Sequence, residues 1–171
     1  MPKKSTVTSR LATCAGIAVL AGCASVASVK PGTPYQEVVK QFGNPAVSCP
    51  AANGGTRMIW TDEPAGEDSW VTTVGSDKRV DGFTQLMQKS NFDVLREGNW
   101  NAGKIRCEFG PPAKAVVFGD NANQVVWEYR YYGTGESYMM LFITLDKATN
   151  EMISFSTGPD PSRNASVLGG R

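Results

Sequence analysis

One short phrase occurs twice in this chain, and a repeat has to be weighed before any fold is assigned. The first copy is Gly32-Thr-Pro-Tyr-Gln-Glu-Val-Val-Lys-Gln-Phe-Gly-Asn-Pro-Ala46. The second is Gly98-Asn-Trp-Asn-Ala-Gly-Lys-Ile-Arg-Cys-Glu-Phe-Gly-Pro-Pro-Ala113. Phe42-Gly43-x-Pro45-Ala46 matches Phe109-Gly110-x-Pro112-Ala113 at an offset of 67, and Trp60 and Trp127 repeat at the same offset. The spacing predicts a duplicated unit; the alternative is two unrelated short helices that each end in Gly and Pro.

Each copy reads as a short helix with a hard stop. In the first, Thr33 is a candidate N-cap, Pro34 suits the first helical position, and Gln36 completes a capping box. Val38 and Phe42, four apart, share one face. Gly43 supplies a left-handed C-terminal residue, and Pro45 blocks continuation. In the second, Ile105 and Phe109 take the apolar face, Gly110 ends the helix, and Asn99 or Asn101 is the candidate cap.

The N-terminus reads as a targeting segment. Lys3, Lys4 and Arg10 precede Leu11 to Leu20, a ten-residue stretch of apolar or small side chains, too short to span a bilayer. It closes on Leu20-Ala21-Gly22-Cys23, which resembles the lipobox of bacterial lipoproteins. The resemblance implies cleavage before Cys23, a lipid on its sulfur and an acyl chain such as palmitate on its new amino group. Several chains make such an anchor stable, where one binds only marginally. Residue 24 is Ala, not Asp, which by the enteric sorting rule implies the outer membrane. The expected location is therefore the periplasmic face of the outer membrane.

Removing 22 residues leaves 149, one domain or two small units sharing a core. Losing Lys3, Lys4 and Arg10 takes Lys plus Arg from 17 to 14 against 16 Asp plus Glu. The remaining cations are scattered, so no nucleic-acid partner is expected. Cys14 leaves with the signal, and Cys49 and Cys107 remain, one per repeat. In an exported protein a bridge between them would tie the repeats together, worth about 4 kcal/mol in the loop-entropy model. The alternative is two separately buried thiols. Without His the pair is a poor metal site, and no metal or other cofactor is expected.

Beyond each helix the pattern turns to strands. The first set is Ala46–Cys49, Met58–Thr61, Ser69–Val74 and Arg79–Leu86; the second is Ala115–Phe118, Gln124–Tyr132, Tyr138–Leu145 and Met152–Ser156. The expected class is α+β: two tandem helix-plus-antiparallel-strand units forming one curved sheet with helices on one face. The expected segments are 1–22 signal peptide, 23–28 lipidated tether, 29–90 first repeat, 91–157 second repeat and 158–171 disordered tail.

A Gly, a short helix, Phe-Gly-x-Pro and a strand carrying Trp-x-Tyr together resemble the SmpA/OmlA domain of BamE-like outer-membrane lipoproteins. Phe92, Leu95, Gly98, Ile105, Phe109 to Pro112 and Trp127-Glu-Tyr129 carry the resemblance in the second copy. Val29, Gly32, Val38, Phe42 to Pro45 and Trp60 carry it in the first. It implies a small periplasmic lipoprotein that binds envelope proteins, in the BamE case as an accessory of the β-barrel assembly machinery. BamE has one unit, and this chain carries the phrase twice. The tandem arrangement is also similar to secreted β-lactamase inhibitor proteins, which implies an alternative: an inhibitor-like binder of a periplasmic or secreted hydrolase.

Catalysis finds little support in the residues, and no enzyme is expected. There is no His, and with it go the commonest general base and the Ser-His and Cys-His pairings. Asp62, Glu63, Glu67 and Asp68 crowd a Pro/Gly loop and read as a solvated acidic surface. For binding, Trp127, Tyr129 and Tyr131 alternate along one strand and share one face. If that face is open they are protein-binding anchors. If it lies beneath Phe109 and Ile105 they are core, with Glu128 and Arg130 in water.

Overall fold

The structure is a computed structural model that describes residues 25–117, 122–135 and 137–163. Helix α1 (Tyr35–Phe42) precedes strands β1 (Val47–Pro50), β2 (Thr56–Thr61), β3 (Ser69–Val74) and β4 (Thr84–Gln85). Helix α2 (Ala102–Phe109) precedes β5 (Lys114–Val116), β6 (Gln124–Tyr132), β7 (Tyr138–Asp146) and β8 (Met152–Pro159). A 3₁₀ segment, Lys89–Arg96, joins the two units.

The α+β class and the helix-plus-antiparallel-strand units are those expected. The expected continuous curved sheet is not formed: the strands make two four-stranded antiparallel sheets, β1-β2-β3-β4 and β5-β6-β7-β8. The stretch 79–86, read as one strand, narrows to two residues of β4. Asp81 intervenes there, and its Oδ1 accepts the Thr73 N–H at 2.8 Å and the Thr72 hydroxyl at 2.9 Å. The Asp81 carboxylate thus takes the Thr73 N–H, while Asp81 N still donates to Thr73 O at 3.1 Å.

The helices sit where their first N–H groups find partners. Tyr35 N donates to Lys78 O, and Ala102 N to Asn150 O, each at 2.9 Å. Among the described residues, Lys78 and Asn150 are the non-glycine residues with positive φ, 60° in both cases. Each stands in the hairpin turn that follows its unit's third strand. The left-handed backbone there aims a carbonyl at an otherwise unpaired helical donor. Thr33 does not cap α1: its hydroxyl donates to Lys30 O at 2.7 Å, and Pro34 occupies the cap position without a side-chain bond. Asn101 does cap α2, its Oδ1 accepting the Lys104 N–H at 3.0 Å.

Strand equivalence departs from the 67-residue offset. Ala46 N donates to Ile59 O and Ala113 N to Glu128 O, both at 2.8 Å. The first members are 67 apart and the second members 69. Two extra residues between β5 and β6 displace β6 by one pleat repeat, so side chains keep their faces. The counterpart of Trp60 is therefore Tyr129, not Trp127. Trp60 Nε1 donates to Gly43 O at 3.0 Å, and Tyr129 OH donates to Gly110 O at 3.1 Å. Two different aromatics satisfy the same helix-ending carbonyl.

The largest core lies under α2. Ile105 and Phe109 pack with Phe92, Leu95, Tyr129, Tyr131, Leu141, Ile143 and Leu145, all at most 2% exposed. A smaller cluster under α1 joins Val38, Trp60, Val74 and Val80. On the opposite face of the first sheet, Val47, Ile59, Val71 and Leu86 form a third. β8 runs on through Pro159, and Asp160 beyond it is 1% exposed. Residues 158–163 thus belong to the fold, not to a tail; 164–171 lie outside the described residues.

Candidate functional site

Two seams join the units, and the candidate site lies beside the first. That seam is covalent. Cys49 on β1 and Cys107 on α2 form a disulfide with Cα atoms 5.9 Å apart, as the one-per-repeat placement allowed. Next to it, Arg57 on β2 donates from Nε to Cys107 O and from Nη2 to Glu108 O, both at 2.9 Å, and pairs with the Glu108 carboxylate at 3.2 Å. A cation from the first unit thus caps the C-terminus of the second unit's helix, where unpaired carbonyls and the helix dipole favour positive charge.

From this seam opens a groove of about 850 Å³. Arg57 and Glu108 are among its lining residues. Val71, Phe83, Leu86 and Val94 supply apolar surface, and Val29 adds more from the N-terminal segment. Val94, on the 3₁₀ segment, is 42% exposed. The charged groups of the groove are already engaged: Arg57 on α2, Asp81 on Thr72 and Thr73. Thr72, Thr73, Thr84, Ser90 and Asn91 line it as well, so what the groove offers a ligand is shape with mixed polar and apolar contact. Among the described residues no trio of His, Cys, Asp or Glu could hold a metal ion.

The second seam is ionic and corrects the reading of the acidic loop. Glu67 is 6% exposed and pairs with Arg163 at 2.8 Å. Arg130 on β6 pairs with buried Asp160 at 3.1 Å and donates from Nη1 to Pro64 O. Glu63 Oε1 accepts the Arg130 backbone N–H at 2.5 Å. β5 pairs only with residues 126–128, so this side chain takes an edge amide that no strand covers. Glu63 Oε2 is buried with no hydrogen bond among the described residues.

The charges explain the titration. Arg130 and Arg163 face three carboxyls, those of Glu63, Glu67 and Asp160. Burial pushes Glu63 up to about 7, with help from Asp62 and Glu67, against the pull of the Arg130 N–H and guanidinium. Burial acts the same way on Asp160, but the Ser162 hydroxyl and N–H together with Arg130 outweigh it and hold that carboxyl below its usual range. Burial and Asp62 also raise Asp68, against a hydrogen bond from Gln85. The loop is a clasp on the second unit, not a solvated acidic surface.

The aromatic face falls to the core reading. Tyr129 and Tyr131 are 0% and 1% exposed, and Trp127 is partly buried against the same cluster. Tyr131 meets Phe92 edge-on at 5.0 Å, and Tyr129 meets Phe109 at 6.2 Å. These three side chains are corrected from protein-binding anchors to packing, because α2 and the 3₁₀ segment cover the face they share. Cys23 lies outside the described residues. No single residue type flags Arg57, Phe83, Val94 or the Glu63–Arg130 contact in the sequence, since each acts across more than thirty positions or through exposure alone. Compared with known proteins, the chain matches no family model, no curated sequence and no solved structure.

Proposed function

We propose that this chain is a lipid-anchored periplasmic protein of the outer membrane that serves as a protein–protein interaction module in envelope maintenance or β-barrel assembly. Its anchor is Cys23, through the lipobox resemblance, and its partner is an envelope protein, with components of the barrel assembly machinery as the first candidates. The observation that carries the reading is the open groove held between two units by the Cys49–Cys107 bridge. A disulfide across the units suits the oxidising envelope and not the reducing cytosol. Walls tied together by the bridge keep the groove open, and preformed surfaces lose less entropy on binding.

The test has two arms. Membrane fractionation of Cys23→Ala against the parent chain reads the anchor, and the variant is expected in the soluble periplasmic fraction. Crosslinked pull-down from membranes reads the partner, with Val94→Glu placing a charge in the groove at an exposed position. Barrel-assembly components recovered with the parent and lost with Val94→Glu support the proposal. A single soluble hydrolase, inhibited on binding, overturns it in favour of the inhibitor-like alternative.

A further inference from the structure

The two sheets have four edges, and three of them are blunted. β4 is two residues long. β1 is four residues long, ends in Pro50 and is held by the Cys49 disulfide. β5 is three residues long and begins with Lys114, and the β6 edge beyond it is taken by Glu63. β8 is different. It runs eight residues, Met-Ile-Ser-Phe-Ser-Thr-Gly-Pro, with no charged side chain. Proteins ordinarily protect such an edge with charge, shortness, proline or a cover, because its unpaired backbone groups template another strand; β8 has Pro159 at its last position and no charge before it.

The free groups can be assigned. Asp160 N donates to Tyr138 O at 2.9 Å, and the register sets Gly158 opposite Met140 and Ser156 opposite Phe142. Hydrogen-bonded positions alternate in an antiparallel ladder, so Ser156 and Gly158 point their N–H and C=O groups toward β7. Phe155, Thr157 and Pro159 point theirs outward. Pro159 lacks an N–H at a position where the ladder needs none. Among the described residues, no backbone hydrogen bond reaches the outer side of residues 155–159.

We propose that β8 is a self-association edge: two copies of the chain pair antiparallel through β8 in the register centred on Ser156, joining their second sheets into one. In this register Thr157 of each copy stands opposite Phe155 of the other, and every outward N–H and C=O of these residues finds a partner. Ser156 meets its own symmetry mate, and Pro159 falls opposite the exposed Ile153. The strand itself carries no charge to repel an identical strand.

Cysteine crosslinking and solution mass test this on the full chain in detergent. Residues facing each other in a non-hydrogen-bonded pair have Cα atoms about 4.5 Å apart, within disulfide reach. Ser156→Cys is therefore expected to give a covalent dimer on mild oxidation, and light scattering of the parent to give twice the chain mass. Thr157→Pro removes one outward N–H and leaves the β7 ladder intact, so it is expected to weaken dimerisation at least about tenfold. Ser156→Lys, at an exposed position, sets like charges at the two-fold and is expected to give monomer with an unchanged circular dichroism spectrum. A monomeric parent at about 100 µM overturns the proposal. So does capture of a different polypeptide by Ser156→Cys, which would make β8 a strand-addition site for a partner. Fractionation and groove variants read the functional proposal separately, because neither touches β8.

Discussion

The two units solve one local problem with different chemistry. Each helix ends on a left-handed glycine, Gly43 at φ 78° and Gly110 at φ 89°. Each glycine carbonyl accepts a hydrogen bond from an aromatic on the second strand of its unit, an indole in the first and a phenol in the second. Around that shared core the units diverge. β2 and β3 have six residues each, while β6 and β7 have nine. Phe42 is only partly buried, whereas Phe109 is 1% exposed beneath Phe92 and Tyr129. The difference teaches that the second unit holds the main core and the first is docked onto it, by one covalent bond, the Arg57 cap on α2 and the ion pairs of the acidic loop.

That asymmetry can be broken most sharply at the paired phenylalanines. Phe109→Ala is expected to cost about 3–5 kcal/mol, against about half that for Phe42→Ala, whose side chain already meets solvent. Urea denaturation with the disulfide intact reads both, and equal costs would remove the distinction between the units. Next in size is the weld itself. Replacing Cys49 and Cys107 together by Ala is expected to cost about 2–4 kcal/mol. If the first unit depends on docking, its amide hydrogens should exchange before those of β6 and β7 in this variant.

A smaller effect separates the two carbonyl partners. Tyr129→Phe leaves Gly110 O buried and unpaired, at about 1–3 kcal/mol. Trp60→Phe is expected to cost less on this account, because Gly43 is exposed and water can replace the indole. Gly110→Ala should likewise exceed Gly43→Ala. Both positions are left-handed, but a Cβ at Gly110 would also stand 3.3 Å from Ile59 Cγ2, while nothing lies within 4 Å at Gly43. Thermal unfolding of the four variants sharpens the comparison.

The last expected effect is on pH. Glu63 has a folded value of about 7, above its ordinary 4.5, so the folded state holds a proton that the unfolded chain releases. Its contribution is fully present below 4.5 and is lost as pH rises through 7. Asp160 has the opposite sign: its contribution is present above 3.8 and lost as pH falls through its lowered folded value. Stability of the parent should therefore decline from about pH 5 toward 8. Glu63→Gln keeps an oxygen for the Arg130 N–H and should flatten that decline. An unchanged slope would place the titration elsewhere.

Much of the helix chemistry was legible because it is local. A cap and a stop need only residues within one turn, so α1 and α2 end where Gly43 and Gly110 say they must. The α1 start was misread because Tyr35 N finds its partner in Lys78, forty-three residues away. The Trp60–Trp127 coincidence misled for a related reason. A two-residue difference in one loop moved β6 along its neighbours without changing the inward alternation, so identity and structural equivalence came apart. The aromatic run Trp127, Tyr129, Tyr131 was legible as one face, but period-two alternation cannot say which face is covered.

By itself, the sequence determined the elements: two capped short helices, strands of fixed in-out alternation, and one cysteine per unit placed so that a bridge could form. These follow from steric and hydrogen-bonding rules that act within a few residues. Only the tertiary structure decided that the strands part into two sheets, that Arg57 caps a helix of the other unit, and that Glu63 covers a strand edge beside Arg130. Those outcomes depend on burial and on charges meeting across the chain. A carboxyl beside Pro64 reads as solvent-facing until another unit's guanidinium is folded against it.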